Sequence, residues 1–173
     1  GERHIDDLVG QKVKIWNGEE FSESLVAKTG ENKELYKVTV EVNGYELRNL
    51  KCTGEHKWYL MNYSTEKEYE VTTRDLSEGD EMTPYFDPNN LTRIFAKVIS
   101  IDKLEGLHDT YCVNEPVKHK AMFNGILTGN CIEIVEVTKA NYTAQCCLGS
   151  INLANNLSTE TLIGSVRSLT KFL

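Results

Sequence analysis

The sequence lacks the patterns that mark several large protein classes. It contains neither a Cys-x-x-Cys nor a His-x-x-x-His spacing, so it offers no pair of zinc ligands, and we expect no metal or cofactor. No apolar run is long enough for a secretory signal or a membrane span. The five cysteines are an odd number, which indicates free thiols and a reducing, cytoplasmic environment.

Basic side chains are also scarce. The chain has 19 Lys and Arg against 26 Asp and Glu, a net charge of −7. Residues 1–130 hold 23 acidic and 16 basic side chains, whereas residues 131–173 hold three of each. A nucleic-acid partner is not expected, because phosphate contacts need clustered Lys and Arg. The whole charge imbalance lies before residue 131.

Residues 1–130 read as short strands joined by polar turns. No long helical pattern interrupts them, and Asn17-Gly18 and Asn43-Gly44 are typical hairpin signals. We interpret His108 and Asp109 as turn residues. The strand candidates are VKIW at 13–16, LYKVTVEV at 35–42, YELRNLKC at 45–52 and RIFAKVISID at 93–102. Many short strands without a long helix predict an all-β domain.

The pattern changes after Asn130. Residues 131–138, CIEIVEVT, predict a buried strand, and Ser158 is a candidate N-cap for a helix. We therefore place a domain boundary between residues 130 and 131, with a strand-plus-helix fragment at 131–173.

The run before this boundary carries a specific chemistry. It comprises Tyr111-Cys112-Val113, then His119, then Asn124-Gly125-Ile126-Leu127, and finally Asn130-Cys131. An Asn side-chain amide can attack its own backbone carbonyl, which closes a succinimide and cuts the chain. A Cys in the next position supplies a thiol that accepts an acyl group. This run resembles the C-terminal splicing motif of inteins.

The resemblance assigns roles on both sides of the domain. It implies that His119 assists Asn130 cyclisation, with Cys131 as the first residue of the C-extein. The segment LKCTGEH at 50–56 resembles the intein Thr-x-x-His motif. By that resemblance Thr53 holds the upstream scissile bond, and His56 protonates its leaving nitrogen. An unperturbed His pKa suits such a proton transfer.

Three features depart from the family. Gly129 stands where the family often has His, and Cys112 stands where it often has Asp. Cys112 either replaces that Asp or is a small buried residue. The N-terminal nucleophile is also missing, since the chain opens on GERHIDDLV. The resemblance therefore implies the C-terminal fragment of a split intein, a horseshoe-shaped β fold that lacks its first strand.

Its partner would be a short Cys-initiated N-intein fragment that carries an N-extein and binds by strand addition. Only 62 residues separate His56 from His119, which is too few for a homing endonuclease and implies a mini-intein.

Residues 131–153 resemble a second family. Cys131, Glu133 and Cys146 match the spacing of the active-site region of the ribonucleotide reductase large subunit. The resemblance implies that Cys131 is the thiyl-radical cysteine, Glu133 the general base and Cys146 a reducing cysteine. The extein fragment alone is too short to be an active reductase.

The function predicted is single-turnover protein trans-splicing in the cytoplasm of a microbial or phage-infected cell. No nucleic acid, membrane or small-molecule substrate is expected. A Hedgehog-like autoprocessing domain and a non-catalytic β binding module remain alternatives. Cleavage after Asn130 distinguishes both from an intein.

Overall fold

The strands form where apolar and polar residues alternate. A computed structural model describes residues 3–130, and it has no α-helix within that range. The expectation of an all-β fold is therefore confirmed. The strands are β1 (Lys12–Trp16), β2 (Phe21–Lys33), β3 (Leu35–Val42), β4 (Glu46–Thr53), β5 (Lys57–Asn62), β6 (Lys67–Thr72), β7 (Tyr85–Asp87), β8 (Thr92–Ile94), β9 (Ala96–Lys103), β10 (His108–Asn114), β11 (Lys120–Phe123) and β12 (Ile126–Gly129). Short 3-10 helices occur at Asp6–Leu8 and Thr73–Asp75.

The hairpin of β3 and β4 follows its sequence pattern closely. Its register pairs Leu35 with Thr53 and Val42 with Glu46. Asn43 and Gly44 connect the strands with φ values of 51° and 81°. Asn and Gly adopt this left-handed conformation most readily, so the dipeptide fixes the turn and thereby the register.

Two three-stranded antiparallel sheets form the framework. One has the order β1-β2-β10 and the other β4-β3-β9, while β5-β6, β7-β8 and β11-β12 are two-stranded. The long strand β2 pairs with β1 through Phe21–Leu25 and with β10 through Leu25–Lys33. Strand β10 is thus brought alongside the second half of β2, although about 80 residues separate them in sequence.

One strand prediction and one turn prediction were wrong. RIFAKVISID does not form one strand, because Phe95 makes a corner between β8 and β9. The Phe95 N–H donates to Asn43 Oδ1 at 2.9 Å, and its carbonyl accepts the Asn43 N–H at 2.8 Å. His108 and Asp109 are not turn residues but begin β10, since β2 is long enough to pair that far.

The hydrophobic residues of the described part gather in two clusters. The larger one contains Val38, Trp58 and Ile126, and the smaller one Val26 and Ala121. The hairpin of β11 and β12 contributes to both, because Ile126 lies in the larger cluster and Ala121 in the smaller one. Burial on both sides at roughly 25 cal/mol per Å² of apolar surface anchors the hairpin that ends at Asn130.

The predicted strand at 131–138 and the predicted helix after Ser158 lie outside the described residues. No helix among residues 3–130 has the length and apolar character needed to cross a bilayer.

Candidate functional site

A single cavity brings together the predicted residues of the upstream site. It has a volume of about 230 Å³ and is lined by Thr53, His56 and Cys112. Thr53 ends β4, His56 follows a two-residue turn, and Cys112 comes from β10. The remaining lining residues are Ile5, Thr29, Leu35, Leu50, Lys51, Cys52, Asp109, Thr110, Tyr111 and Phe123. Residues far apart in sequence therefore converge on one apolar hollow with a few polar groups.

The turn after β4 turns the His56 side chain inward. The His56 N–H donates to the Thr53 carbonyl at 3.2 Å, and His56 is 9% exposed. Its ring meets the ring of Trp58 edge-on, with the centroids 5.8 Å apart. Burial lowers the pKa of His56 from 6.5 to about 4. The unperturbed pKa assumed from the sequence is therefore wrong for the folded protein, where His56 is neutral at pH 7.

Thr73 supports the backbone of His56, and sequence reasoning missed it. Its N–H and its hydroxyl both donate to the His56 carbonyl, at 2.9 and 3.3 Å. The same hydroxyl accepts a hydrogen bond from Trp58 Nε1 at 2.9 Å and lies 3.4 Å from Cys52 Sγ. A buried Thr at the start of a 3-10 helix has no distinctive sequence pattern, so only the fold identifies it.

The two cysteines on the cavity wall differ in position. Burial raises the pKa of Cys52 to about 11, so its thiol stays protonated, as expected of a structural residue. Cys112 is 5% exposed and lies opposite Ala27 in the β2–β10 ladder. It is therefore a small buried residue that also lies on the cavity wall.

The downstream residues meet at the open end of the β11–β12 hairpin. His119 immediately precedes β11, and Asn130 immediately follows β12. The Asn130 N–H donates to the His119 carbonyl at 3.0 Å. The His119 side chain is exposed and its φ is 56°, whereas Asn130 is 2% exposed. The structure thus joins these two residues through the backbone.

The Asn130 side chain is held from one direction. Its Nδ2 donates to the Glu115 carbonyl at 3.1 Å. Within residues 3–130, its buried Oδ1 has no hydrogen-bond partner. Glu115 is a second residue that sequence reasoning missed, because an isolated Glu before Pro116 matches no motif.

The absence of a side chain at position 129 has a steric explanation that the sequence did not reveal. A Cβ at this position would lie 2.7 Å from Lys57 Cβ and 3.3 Å from the Lys57 carbonyl oxygen. The family often has His here, but β5 approaches β12 too closely in this chain for a side chain to fit. The missing imidazole therefore follows from local packing.

The upstream and downstream motifs are directly bonded. His56 Nε2 lies 2.9 Å from Thr128 Oγ1, and Thr128 stands two residues before Asn130 on β12. Cys131, Glu133 and Cys146 lie outside the described residues. Among residues 3–130, no three His, Cys, Asp or Glu side chains are grouped so that they could hold a metal ion.

Solved structures share this architecture. A crystal structure of an Ssp DnaB mini-intein variant aligns with a TM-score of 0.56 at 19% identity. The alignment covers 74% of this chain and 87% of that one. The chain has the intein fold. A second structure of that mini-intein gives a TM-score of 0.55 and covers 76% of this chain. The fold expected from the resemblance to inteins is confirmed.

Sequence comparison gives a different set of relatives. The chain is 46% identical over 66 residues to the ribonucleoside-diphosphate reductase large subunit of Invertebrate iridescent virus 6. It is 33% identical over 143 residues to the NrdEB subunit alpha of that reductase in Bacillus subtilis. The chain spans only 7% and 13% of these relatives. No family model matches it.

The Bacillus match extends into the intein-fold domain. It covers 72% of this chain, whereas residues 131–173 make up only about a quarter of the 173 residues. Similarity to a reductase subunit and the intein fold therefore occur together in this chain, as the sequence analysis expects.

Proposed function

We propose that residues 1–130 catalyse protein splicing: the domain excises itself after Asn130 and joins an upstream segment to Cys131. The intein fold supports splicing in general. One observation carries the proposal for this chain, namely the hydrogen bond that joins His56 to Thr128, two residues before Asn130. It places the motif for the upstream junction against the strand that ends at the downstream junction.

The reaction needs four steps. An N-terminal Cys thiol attacks the preceding carbonyl, and its amide becomes a thioester as the freed amine takes a proton. The Cys131 thiol then displaces that thiol and acquires the acyl group. Asn130 Nδ2 attacks its own carbonyl carbon, the bond to Cys131 nitrogen breaks, and a succinimide forms. Finally the Cys131 amine takes the acyl group from its own sulfur, leaving a normal peptide bond.

The residues of the cavity suit the first step. The upstream scissile bond would lie beside Thr53, whose hydroxyl can hold its carbonyl. His56 is neutral at pH 7, so it can accept the thiol proton and then pass a proton to the leaving nitrogen. Cys112 on the same wall would contact the reacting thiol, in the place where the family often has Asp.

The downstream steps depend mainly on positioning. Asn130 is buried and its amide is held on the Glu115 carbonyl, which limits the conformations from which Nδ2 attacks. His119, at the same end of the hairpin, would supply the proton that the leaving Cys131 amine needs. Its carbonyl accepts the Asn130 N–H, so His119 neighbours the residue after which the chain would be cut.

We infer that the upstream segment comes from a separate short polypeptide, so that the reaction is trans-splicing. The cavity supports this inference, because it is open and is lined by Tyr111 and Cys112 of β10. In the described residues β10 pairs only with β2, so its other edge is available for strand addition. A Cys-initiated peptide carrying an N-extein fits both features. We propose a reducing cytoplasm as the site of this reaction, which the odd number of cysteines supports.

We also propose that residues 131–173 are the start of a C-extein from a ribonucleotide reductase large subunit. The sequence similarity to two such subunits supports this. Splicing would then restore a segment in which Cys131, Glu133 and Cys146 take part in nucleotide reduction. Before splicing, the reductase would be interrupted at its active site and inactive.

A ligation assay tests the proposal. A synthetic peptide with a short N-extein and a Cys-initiated strand is added to the full chain, and intact masses are followed over time. We expect a product in which the N-extein is joined to Cys131. The Asn130→Ala variant should accumulate a branched intermediate, and Cys131→Ala should give no ligation. Binding without any ligation or cleavage would favour a non-catalytic module, and upstream cleavage by the wild type without any cut after Asn130 would favour Hedgehog-like processing.

A further inference from the structure

Glu115 is a completely buried acidic residue that the steps above leave without a side-chain role. It follows β10 directly, it is 0% exposed, and it stands four residues before His119. A buried carboxylate costs several kcal/mol unless hydrogen bonds replace the lost water. Its side-chain partners therefore show what it holds in place.

Four donors satisfy this carboxylate. The N–H groups of Lys118 and His119 donate to Oε2 at 2.6 and 2.8 Å, and that of Val117 lies 3.2 Å from both oxygens. Asn17 Nδ2 donates to Oε1 at 3.2 Å. Charge-assisted bonds of this kind are stronger than neutral ones, so the loop of residues 115–119 folds around its own first side chain.

The Asn17 contact ties this loop to another turn. Asn17 is 1% exposed, and its Oδ1 accepts the N–H groups of Glu19 and Glu20 at 3.0 and 2.9 Å. The carboxylate thus connects the β1–β2 turn to the 115–119 loop.

The same loop provides both hydrogen-bond acceptors of Asn130. The Glu115 carbonyl accepts from Asn130 Nδ2 at 3.1 Å, and the His119 carbonyl accepts from the Asn130 N–H at 3.0 Å. These carbonyls belong to the two ends of the loop that the carboxylate closes. If the carboxylate released residues 117–119, the distance between the two carbonyls would no longer be fixed.

We propose that Glu115 is a positioning residue for Asn130 cyclisation. Its carboxylate shapes the 115–119 loop so that the Glu115 carbonyl holds the Asn130 side-chain amide and the His119 carbonyl holds the Asn130 backbone N–H. The proposal rests on the splicing function above. Glu115 does not touch the scissile bond through its side chain. It acts by restricting Asn130, and restriction of a reacting group accounts for large rate factors in intramolecular reactions.

The test separates the two junctions. In the full chain with the Cys-initiated peptide, upstream thioester formation is measured by cleavage with added thiol, and downstream cyclisation by release of residues 131–173. For Glu115→Gln we expect cyclisation to slow about 10- to 100-fold, the value of a hydrogen bond to a charged group, with upstream cleavage changed less than about threefold. Glu115→Asp keeps the charge and should lose less. The proposal is overturned if Glu115→Gln slows both steps equally or if it slows neither step.

A matched control removes a different loop-capping carboxylate. Asp80 accepts the Ser77 N–H at 2.8 Å in a turn outside the 115–119 loop, so Asp80→Asn should leave both rates unchanged. If Glu115→Gln does not fold, Asn17→Ser removes one donor to the same carboxylate. This variant should also slow cyclisation, by a smaller factor than expected for Glu115→Gln. An unchanged cyclisation rate would overturn the proposal.

A second readout distinguishes failure of this proposal from failure of the splicing function. If the wild-type chain never cuts after Asn130, the splicing function fails. The positioning claim is then read from NMR of the Asn130 side-chain amide. Its protons should exchange slowly in the wild type and at least tenfold faster in Glu115→Gln. Equal exchange in the two proteins would overturn the positioning role.

Discussion

His56 Nε2 and Thr128 Oγ1 lie 2.9 Å apart and form a buried hydrogen bond between residues 72 positions apart in the chain. His56 lines the cavity proposed for the upstream junction, and Thr128 belongs to β12, which Asn130 follows directly. A shift of β12 would therefore break or displace the hydrogen bond to the His56 ring. This bond gives the two junctions a physical connection through one hydroxyl group.

The Thr128→Val substitution tests that connection. Valine has nearly the shape of threonine but no hydroxyl, so a buried imidazole nitrogen loses its partner. We expect a loss of about 1–3 kcal/mol in the free energy of unfolding, measured by urea denaturation. The upstream cleavage rate should fall in the same variant. Thr128→Ser keeps the hydroxyl and should retain most of both; a Val variant as stable as the wild type would contradict the buried bond.

His56 also predicts how stability depends on pH. Its pKa is about 4 in the folded protein against 6.5 when unperturbed, so the unfolded chain binds more protons between these values. The stabilisation is fully present above pH 6.5 and is lost as the pH falls towards 4, by about 3 kcal/mol in total. Denaturation of wild type and His56→Gln at several pH values checks this. The difference between the two should shrink on acidification, and a constant difference would show that the pKa is not lowered.

The contact between Gly129 and Lys57 predicts the result of restoring a family residue. A Cβ at position 129 would lie 2.7 Å from Lys57 Cβ, so Gly129→His and Gly129→Ala should both destabilise the fold by about 1–3 kcal/mol. Gly129→His should therefore not accelerate cyclisation. Thermal unfolding of Gly129→Ala with and without Lys57→Gly tests the cause. Lys57→Gly removes the carbon that would clash, so Gly129→Ala should cost less stability in its presence. If the two changes destabilise the protein additively, the clash with Lys57 is not the cause.

The hydrogen bonds of Thr73 predict an effect on folding stability, and Thr73 itself takes no part in the proposed reaction. The Thr73→Val variant deprives Trp58 Nε1 of its acceptor and the His56 carbonyl of one donor. We expect a loss of about 1–3 kcal/mol by urea denaturation, with a changed fluorescence of the buried Trp58. Thr73→Ser is the matched control because it keeps the hydroxyl. Equal stability of Val and Ser variants would mean that the hydroxyl network contributes little.

The sequence predicted what depends on local pattern. The alternation of apolar and polar residues and the Asn43-Gly44 turn predict the β3–β4 hairpin. The spacing of the motif predicts that His119 and Asn130 are neighbours. The corner at Phe95 was missed because its apolar neighbours continue without a break, while its hydrogen bonds go to a distant Asn43. The lowered pKa of His56 could not be predicted, since it arises from burial by the whole fold.

The remaining site residues depend on contacts between distant segments. Thr73, Glu115 and Thr128 act through hydrogen bonds to residues elsewhere in the chain, and none stands in a motif that its neighbours reveal. The sequence analysis noted Gly129 only as a departure from the family's His, whereas the approach of Lys57 explains the absence of a side chain sterically. Chemical motifs suggested the candidate reacting groups, and the fold was needed to find the residues that form hydrogen bonds to them.

The most direct test of the account is the mass of the fragments that the full chain releases after addition of a Cys-initiated peptide. We predict that residues 131–173 are released with the N-extein joined to the amine of Cys131. We also predict that residues 1–130 end in a succinimide, lighter than the hydrolysed form by one water. A chain that stays intact between Asn130 and Cys131, although folded and bound to the peptide, would contradict the account.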